Sequence, residues 1–284
     1  MSEKSNVLLE VASLSLRVAR RFAADYSHPK SPQKFTQPQL LACLVLRAYL
    51  KTTYRGVIEV LEVSESLRQR LGLARLPHYS TLKRFADRPD VLEIIDRMLA
   101  EIVKEFAPAP ELAAMDATGL ETTSASAHYL TRSGKTRKKY VKVSVCIAIG
   151  SLLPAALVVS WGPDNDKREA RPLLEKTRLA MQPATMLADA GYDAEWVHEY
   201  CRDNWGVASV IKPVVHRSDH AVHGVHRSKM TEEFLVENNY GRRWAVESFM
   251  SGLKRTTGAA LAARSERSLF VEAALRVLAY ALRR

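Results

Sequence analysis

The sequence predicts an α/β protein in which an all-α N-terminal region precedes a mixed sheet flanked by helices. Residues 1–107 carry apolar side chains at helical spacing throughout. The stretch "APAPE" at 107–111 breaks that pattern with two prolines and small residues. Beyond it, three runs that read as strands in a meander give way to alternating strand and helix. The division expected is a helical domain over 1–107 and an α/β catalytic domain over 108–284.

The N-terminal run "MSEKSNVLLEVASLSLRVARR" mixes acidic with basic residues and reads as an amphipathic helix, not a signal peptide. In "FTQPQLLACLVLRAYL", Thr36 and Gln39 have capping-box spacing, and Pro38 sits in the first turn, where its missing N–H costs little. "YRGVIEVLEVSESLRQRLGL" and "DVLEIIDRMLAEIVKEF" are also helical, the latter opened by Asp90. Between them, Pro77 ends one segment and Ser80 is expected to cap a short basic helix carrying Lys83 and Arg84. Short helices with basic residues suit a helix-turn-helix-like DNA-binding bundle; an all-α packing or dimerisation domain fits the same pattern.

In the second half, "ELAAMDATGL" (111–120), "KKYVKVSVCIAIG" (138–150) and "LLPAALVVS" (152–160) are the meander strands. A helix over 166–181, the strand "ATMLAD" ending at Asp189, a helix over 193–204 and the strand "VASVIKP" follow. Asp193 is expected to cap the helix that begins there.

The bulk properties narrow the function classes. With 42 Lys and Arg against 31 Asp and Glu, the 284-residue chain has a formal charge of +11, which suits a polyanionic partner but also a merely basic enzyme. Hydrophobic residues at 47% exclude global disorder. Cys43, Cys146 and Cys201 are widely spaced and odd in number, so neither a disulfide framework nor a CxxC metal site is expected, which fits a cytoplasmic location. The most apolar run, "LLACLVLRAYL", is too short to span a bilayer and contains Arg47.

Three carboxylates stand out. Asp116 lies in the first strand after apolar neighbours, and Asp189 lies just past the fourth; strand ends of an α/β sheet face the ligand crevice. Glu247 belongs to "YGRRWAVESFMSGLKR" (240–255), read as one helix. At about 100° per residue from Tyr240, Arg243 falls at about 300°, Lys254 at about 320° and Glu247 at about 340°. Four polar side chains thus share one stripe beside the buried arc of Val246, Phe249, Met250 and Leu253, although a salt-bridged surface helix would do the same. Trp244 is expected to pack in the core, with stacking on an unpaired base as the alternative. An oxygen-only trio of this kind suits Mg²⁺ or Mn²⁺, and two such ions can drive phosphodiester chemistry.

Two basic segments complete the inventory. Arg132, Lys135, Arg137, Lys138, Lys139 and Lys142 lead into a strand after Gly134, as a hairpin tip for DNA backbone contact or a solvated loop. "HRSDHAVHGVHRSK" (216–229) reads as a basic loop whose Arg217 and Arg227 touch phosphate. Its histidines, His216, His220, His223 and His226, leave a zinc site open as the weaker alternative.

The second half resembles the RNase H-like catalytic domain of DDE transposases of the IS4/IS5-type insertion-sequence group. The likeness rests on "MDATGL", on "LADAGYD", and on the fit of Tyr240, Arg243, Glu247 and Lys254 to the group's Y-x2-R-x3-E-x6-K signature. "HYLTRSGKTRKKYVKV", "GPDNDKREARPLL" and "LGLARLPHYSTLKRF" look similar as well, so the resemblance spans roughly residues 35–284. It implies that Asp116, Asp189 and Glu247 hold two Mg²⁺ or Mn²⁺ ions, and that Tyr240, Arg243 and Lys254 contact transposon-end DNA. The activity implied is cutting at terminal inverted repeats and joining of the 3′-OH ends to target DNA by a homodimer in a synaptic complex. The 58-residue spacing from Asp189 to Glu247 favours the shorter IS5-like architecture. A nuclease without strand transfer, and a domesticated DNA-binding protein without catalysis, are the competing readings.

Overall fold

The computed structural model describes residues 6–122, 139–214 and 221–284. The chain forms two compact units. Among described residues, one comprises 6–98, 121–122 and 253–284, the other 99–120, 139–214 and 221–252.

The first unit is helical: α1 (Val7–Phe22), α2 (Gln37–Tyr49), α3 (Tyr54–Val63), α4 (Glu65–Leu71), α5 (Tyr79–Ala86) and the first half of α6 (Val91–Phe106). The capping box of α2 forms as expected: Gln39 N–H donates to Thr36 Oγ1, and Thr36 N–H donates back to the Gln39 side chain. Apolar residues occur all round α2, and nearly the whole helix is buried, packed by α1 and by the C-terminal helix Glu266–Arg283. The cap of α5 differs from expectation. His78, not Ser80, takes the N-cap, its Nδ1 accepting from Ser80 N–H. Asp90, at the start of α6, pairs with Arg88 through two contacts at 3.1 and 2.6 Å.

The second unit is built on β1 (Leu112–Thr122), β2 (Tyr140–Ala148), β3 (Leu153–Gly162), β4 (Thr185–Ala188) and β5 (Ala208–Ile211). Their spatial order is β3-β2-β1-β4-β5, antiparallel among the first three and parallel from β1 to β5. This is the mixed, helix-flanked sheet of an RNase H-like fold. Helix α7 (Lys167–Ala180) follows β3 and packs on β2 and β3. The apolar run "LAAM" of β1 is buried on both faces, as a central strand between two neighbours requires.

Two predicted helices prove to be composite. The segment read as a helix over 193–204 is a short α8 (Glu195–Glu199) that widens into a π-turn over Tyr200–Asn204. Asp193 does not cap it. Its side chain is 1% exposed and accepts from Arg227 and from Val214 N–H. A short α9 (Glu232–Glu237) leads to a 3₁₀ turn over Tyr240–Arg243, and only then to α10 (Trp244–Thr257). The region expected to be one helix therefore begins as a tighter turn. The chain ends with β6 (Ala260–Leu261), which pairs in parallel with the end of β1, and α11 (Glu266–Arg283). Among the described residues no helix is long and apolar enough to cross a membrane.

Candidate active site

Strand pairing positions the first two acids. The β1–β4 ladder joins residues 73 apart, from Leu112 with Thr185 to Met115 with Ala188. Asp116 and Asp189 are the next pair at that offset, where the ladder ends. Adjacent parallel strands lie about 4.8 Å apart, so the two carboxylates issue from neighbouring positions. Asp189 Oδ1 accepts from Ala190 N–H at 2.7 Å, which turns the chain out of β4 into the 3₁₀ turn Ala190–Tyr192.

Glu247 and Arg243 reach the same place from α10 and the turn before it. Arg243 donates through Nη1 to Asp116 Oδ2 at 3.3 Å and through Nη2 to Glu247 Oε1 at 2.5 Å. Its side chain is 18% exposed, against 58% for Glu247. Tyr240 lies beside Arg243, and the turn carrying both packs on β4. Of the sequence stripe, Tyr240, Arg243 and Glu247 are thus gathered with Asp116 and Asp189. Lys254 lies about two turns along α10 from Glu247, in the part of the chain that clusters with the first unit.

The electrostatics of Asp116 are those of a largely buried acid. Burial pushes its pKa up to about 6, while the Ala117 N–H and Arg243 pull the other way and the charge of Asp189 adds to the rise. Among the described residues no three His, Cys, Asp or Glu side chains converge as a ready metal cage. Between Asp116 and Glu247 stands the Arg243 guanidinium, itself a cation. The donors are hard carboxylate oxygens, the set preferred by Mg²⁺ and Mn²⁺.

A neighbouring network escaped the sequence reading. Lys142, expected in the basic hairpin run, is 3% exposed, and its Nζ reaches Asp166 Oδ1 at 2.6 Å and Glu169 Oε2 at 2.7 Å. Burial disfavours its charge, but these two carboxylates more than offset that and hold its pKa above the ordinary lysine value. Ser160 Oγ donates to the other oxygen of Glu169. The charge of Asp166 also bears on Asp116, as does the buried phenol of Tyr192 on this cluster. Apolar–polar alternation would turn Lys142 outward, but β2, where it lies opposite Gly119 of β1, is buried along nearly its whole length.

The other expected DNA contacts are dispersed. Arg84 is exposed, with Nε donating to Ser80 O. Lys83 bonds Asp87 and Ser268. Lys139 lies 5.5 Å over the Trp161 ring. Arg227 is committed to Asp193 at 2.6 and 2.7 Å. Lys135, Arg137, Lys138 and Arg217 lie outside the described residues, as do Arg132, His216 and His220. His226 Nε2 faces Asp203 at 3.2 Å. Trp244 is 63% exposed, contrary to the core packing expected of it.

Residues 107–282 match the transposase DDE domain family. The chain belongs to the DDE transposase family. Among solved structures, the piggyBac transposase synaptic complex with hairpin DNA aligns with 98% of this chain and 72% of its own, at 8% identity and a TM-score of 0.49. A pre-cleavage Mos1 transpososome aligns with 91% of this chain and 80% of its own, at 14% identity and a TM-score of 0.25. No curated protein sequence matches the chain.

Proposed function

We propose that this DDE transposase cuts DNA at the terminal inverted repeats of an IS4/IS5-type insertion sequence and joins the resulting 3′-OH ends to target DNA. The observation that carries the reading is that Asp116 and Asp189 each follow the last residues of the β1–β4 ladder, Met115 and Ala188, while Arg243 bonds both Asp116 and Glu247. In this reading Asp116, Asp189 and Glu247 would hold two Mg²⁺ or Mn²⁺ ions. Bound there, the pair of ions supplies Lewis-acid polarisation of the scissile phosphodiester and a lowered pKa for the attacking hydroxyl.

The chain's own residues orient the reaction. Asp116 must release its proton to serve as a ligand. Arg243, which bonds Asp116 and Glu247, would be available to a phosphate oxygen if those carboxylates held cations, and its planar fork suits that contact. Tyr240 and Lys254 steady the DNA backbone beside it. Attack by water frees a 3′-OH, and attack by that oxygen on a target phosphorus forms the new P–O bond as the target strand's P–O bond breaks. Further DNA contacts are proposed for Lys83, Arg84 and Lys139, and from the sequence alone for Lys135, Arg137, Lys138 and Arg217, in a homodimer that pairs two ends; Arg227 serves Asp193 instead.

Strand transfer of labelled, pre-cut inverted-repeat DNA into a plasmid tests this with Mg²⁺ or Mn²⁺. Joining by the parent should disappear in Asp116→Ala, Asp189→Ala and Glu247→Gln. Retained joining by Glu247→Gln would overturn the triad. Cleavage without joining would favour a nuclease, and binding without either a domesticated protein.

A further inference from the structure

The helical unit contains a second cavity-borne constellation, remote in chemistry from the three acids. A cavity of about 590 Å³, within the size range of small-molecule sites, is lined by Arg47, Lys51, Lys83, Arg264 and Arg276 against a single carboxylate, Glu272. Thr53 and Ser265, the N-caps of α3 and α11, also line it, so two helix N-termini add their positive ends.

Most of these charges are accounted for. Arg276 donates to Gly258 O, Ala260 O and Glu272, while Glu272 also accepts from Ala262 and Ala263 N–H. Lys83 is held by Asp87 and Ser268, and one Lys51 bond goes to Arg255 O. Arg47 is different. It is 7% exposed, its Nη2 is 3.9 Å from Glu272, and its guanidinium lies 4.1 Å over the Tyr54 ring. Among the described residues its Nε has no hydrogen-bond partner. A buried guanidinium short of acceptors is costly, and an anion would supply them. Arg264 stands exposed at the same cavity.

The rest of the wall is largely apolar, Tyr54 with the alanines at 48, 260, 262 and 263, interrupted by the hydroxyls of Thr52, Thr257 and Ser268. A bare inorganic anion would leave that wall and most of the volume unused. We propose that this cavity binds a nucleoside phosphate, with the phosphate at Arg47, Lys51 and Arg264 and the base against the alanine wall. The ligand is either a free nucleotide or an unpaired nucleotide extruded from DNA; only the second source rests on the transposase reading.

The test titrates the full chain in EDTA with 1,N⁶-etheno-AMP, using adenosine and inorganic phosphate as competitors. The parent should bind the probe, and both competitors should act at least tenfold more weakly. Arg47→Met and the double variant Lys51→Ala with Arg264→Ala should each weaken binding tenfold or more. If Arg47→Met fails to fold, the double variant decides, since both of its sites are at the surface end of the cavity. A duplex with one extrahelical 2-aminopurine nucleotide, compared with its fully paired counterpart, separates the sources. Displacement of the probe by the bulged duplex alone assigns the DNA nucleotide; displacement by neither assigns the free one. A parent that binds neither probe, folded variants with unchanged affinity, or phosphate competing as well as etheno-AMP would overturn the proposal. Failure of the transposase reading would appear as an absence of joining and would leave the etheno-AMP titration unchanged.

Discussion

Asp116→Asn should stabilise the metal-free protein at pH 8. The Asp116 pKa rises from 3.8 to about 6 on folding, chiefly because its carboxylate loses water. A rise of about two units corresponds to about 3 kcal/mol between the two protonation states. Because the folded pKa is raised, the stability of the protonated form is fully present below about pH 4 and is lost as the pH climbs through 6. Above about pH 7 the parent carries the whole penalty, and an uncharged asparagine carries none. In EDTA at pH 8 the variant should melt about 5 °C or more above the parent, and the gap should shrink towards zero near pH 4. Addition of Mg²⁺ should raise the melting temperature of the parent and not that of the variant. A variant that melts no higher than the parent at pH 8, or a gap that does not depend on pH, would refute this electrostatic account.

Two further substitutions probe the surroundings of the site. Lys142→Met leaves Asp166 and Glu169 without their buried cation and should cost about 3–5 kcal/mol in urea denaturation, against less than 1 kcal/mol if the lysine were a solvated hairpin residue. Trp244→Ala should change stability by no more than about 0.5 kcal/mol, because the ring is exposed; a loss of about 3–5 kcal/mol would mean that it packs in the core after all.

Much of this was legible in the sequence because local rules and global fold agree. The α2 capping box, the meander strands and the central apolar run of β1 follow from spacing alone. Motif and strand-end position single out the three acids, and the 73-residue offset of the β1–β4 ladder places Asp116 and Asp189 each one residue beyond its last pair. What failed has physical causes. Ser80 lost the cap of α5 to His78, a residue whose ring nitrogen accepts as well as a hydroxyl. Asp193 left its expected cap because a partner 34 residues away, Arg227, offered a bidentate pair. Lys142 sat in a run of basic residues, but α7 covers β2, and Asp166 and Glu169 receive its ammonium there. Trp244 fell outside the core because it lies at about 40° on the wheel, away from the arc that Val246, Phe249, Met250 and Leu253 bury. The packing of α11 on α1 and α2 joins residues more than 200 apart, a separation that no local pattern encodes.

The central claim is that Asp116 ligates a catalytic divalent cation, and Asp116→Cys in the strand-transfer assay tests it most directly. Thiolate is a poor ligand for Mg²⁺ and a better one for softer ions. The account predicts that joining in Mg²⁺ falls to about a thousandth of the parent or less, at parental DNA affinity, and recovers in part with Mn²⁺. Undiminished joining in Mg²⁺, or the same residual rate in both ions, would contradict it.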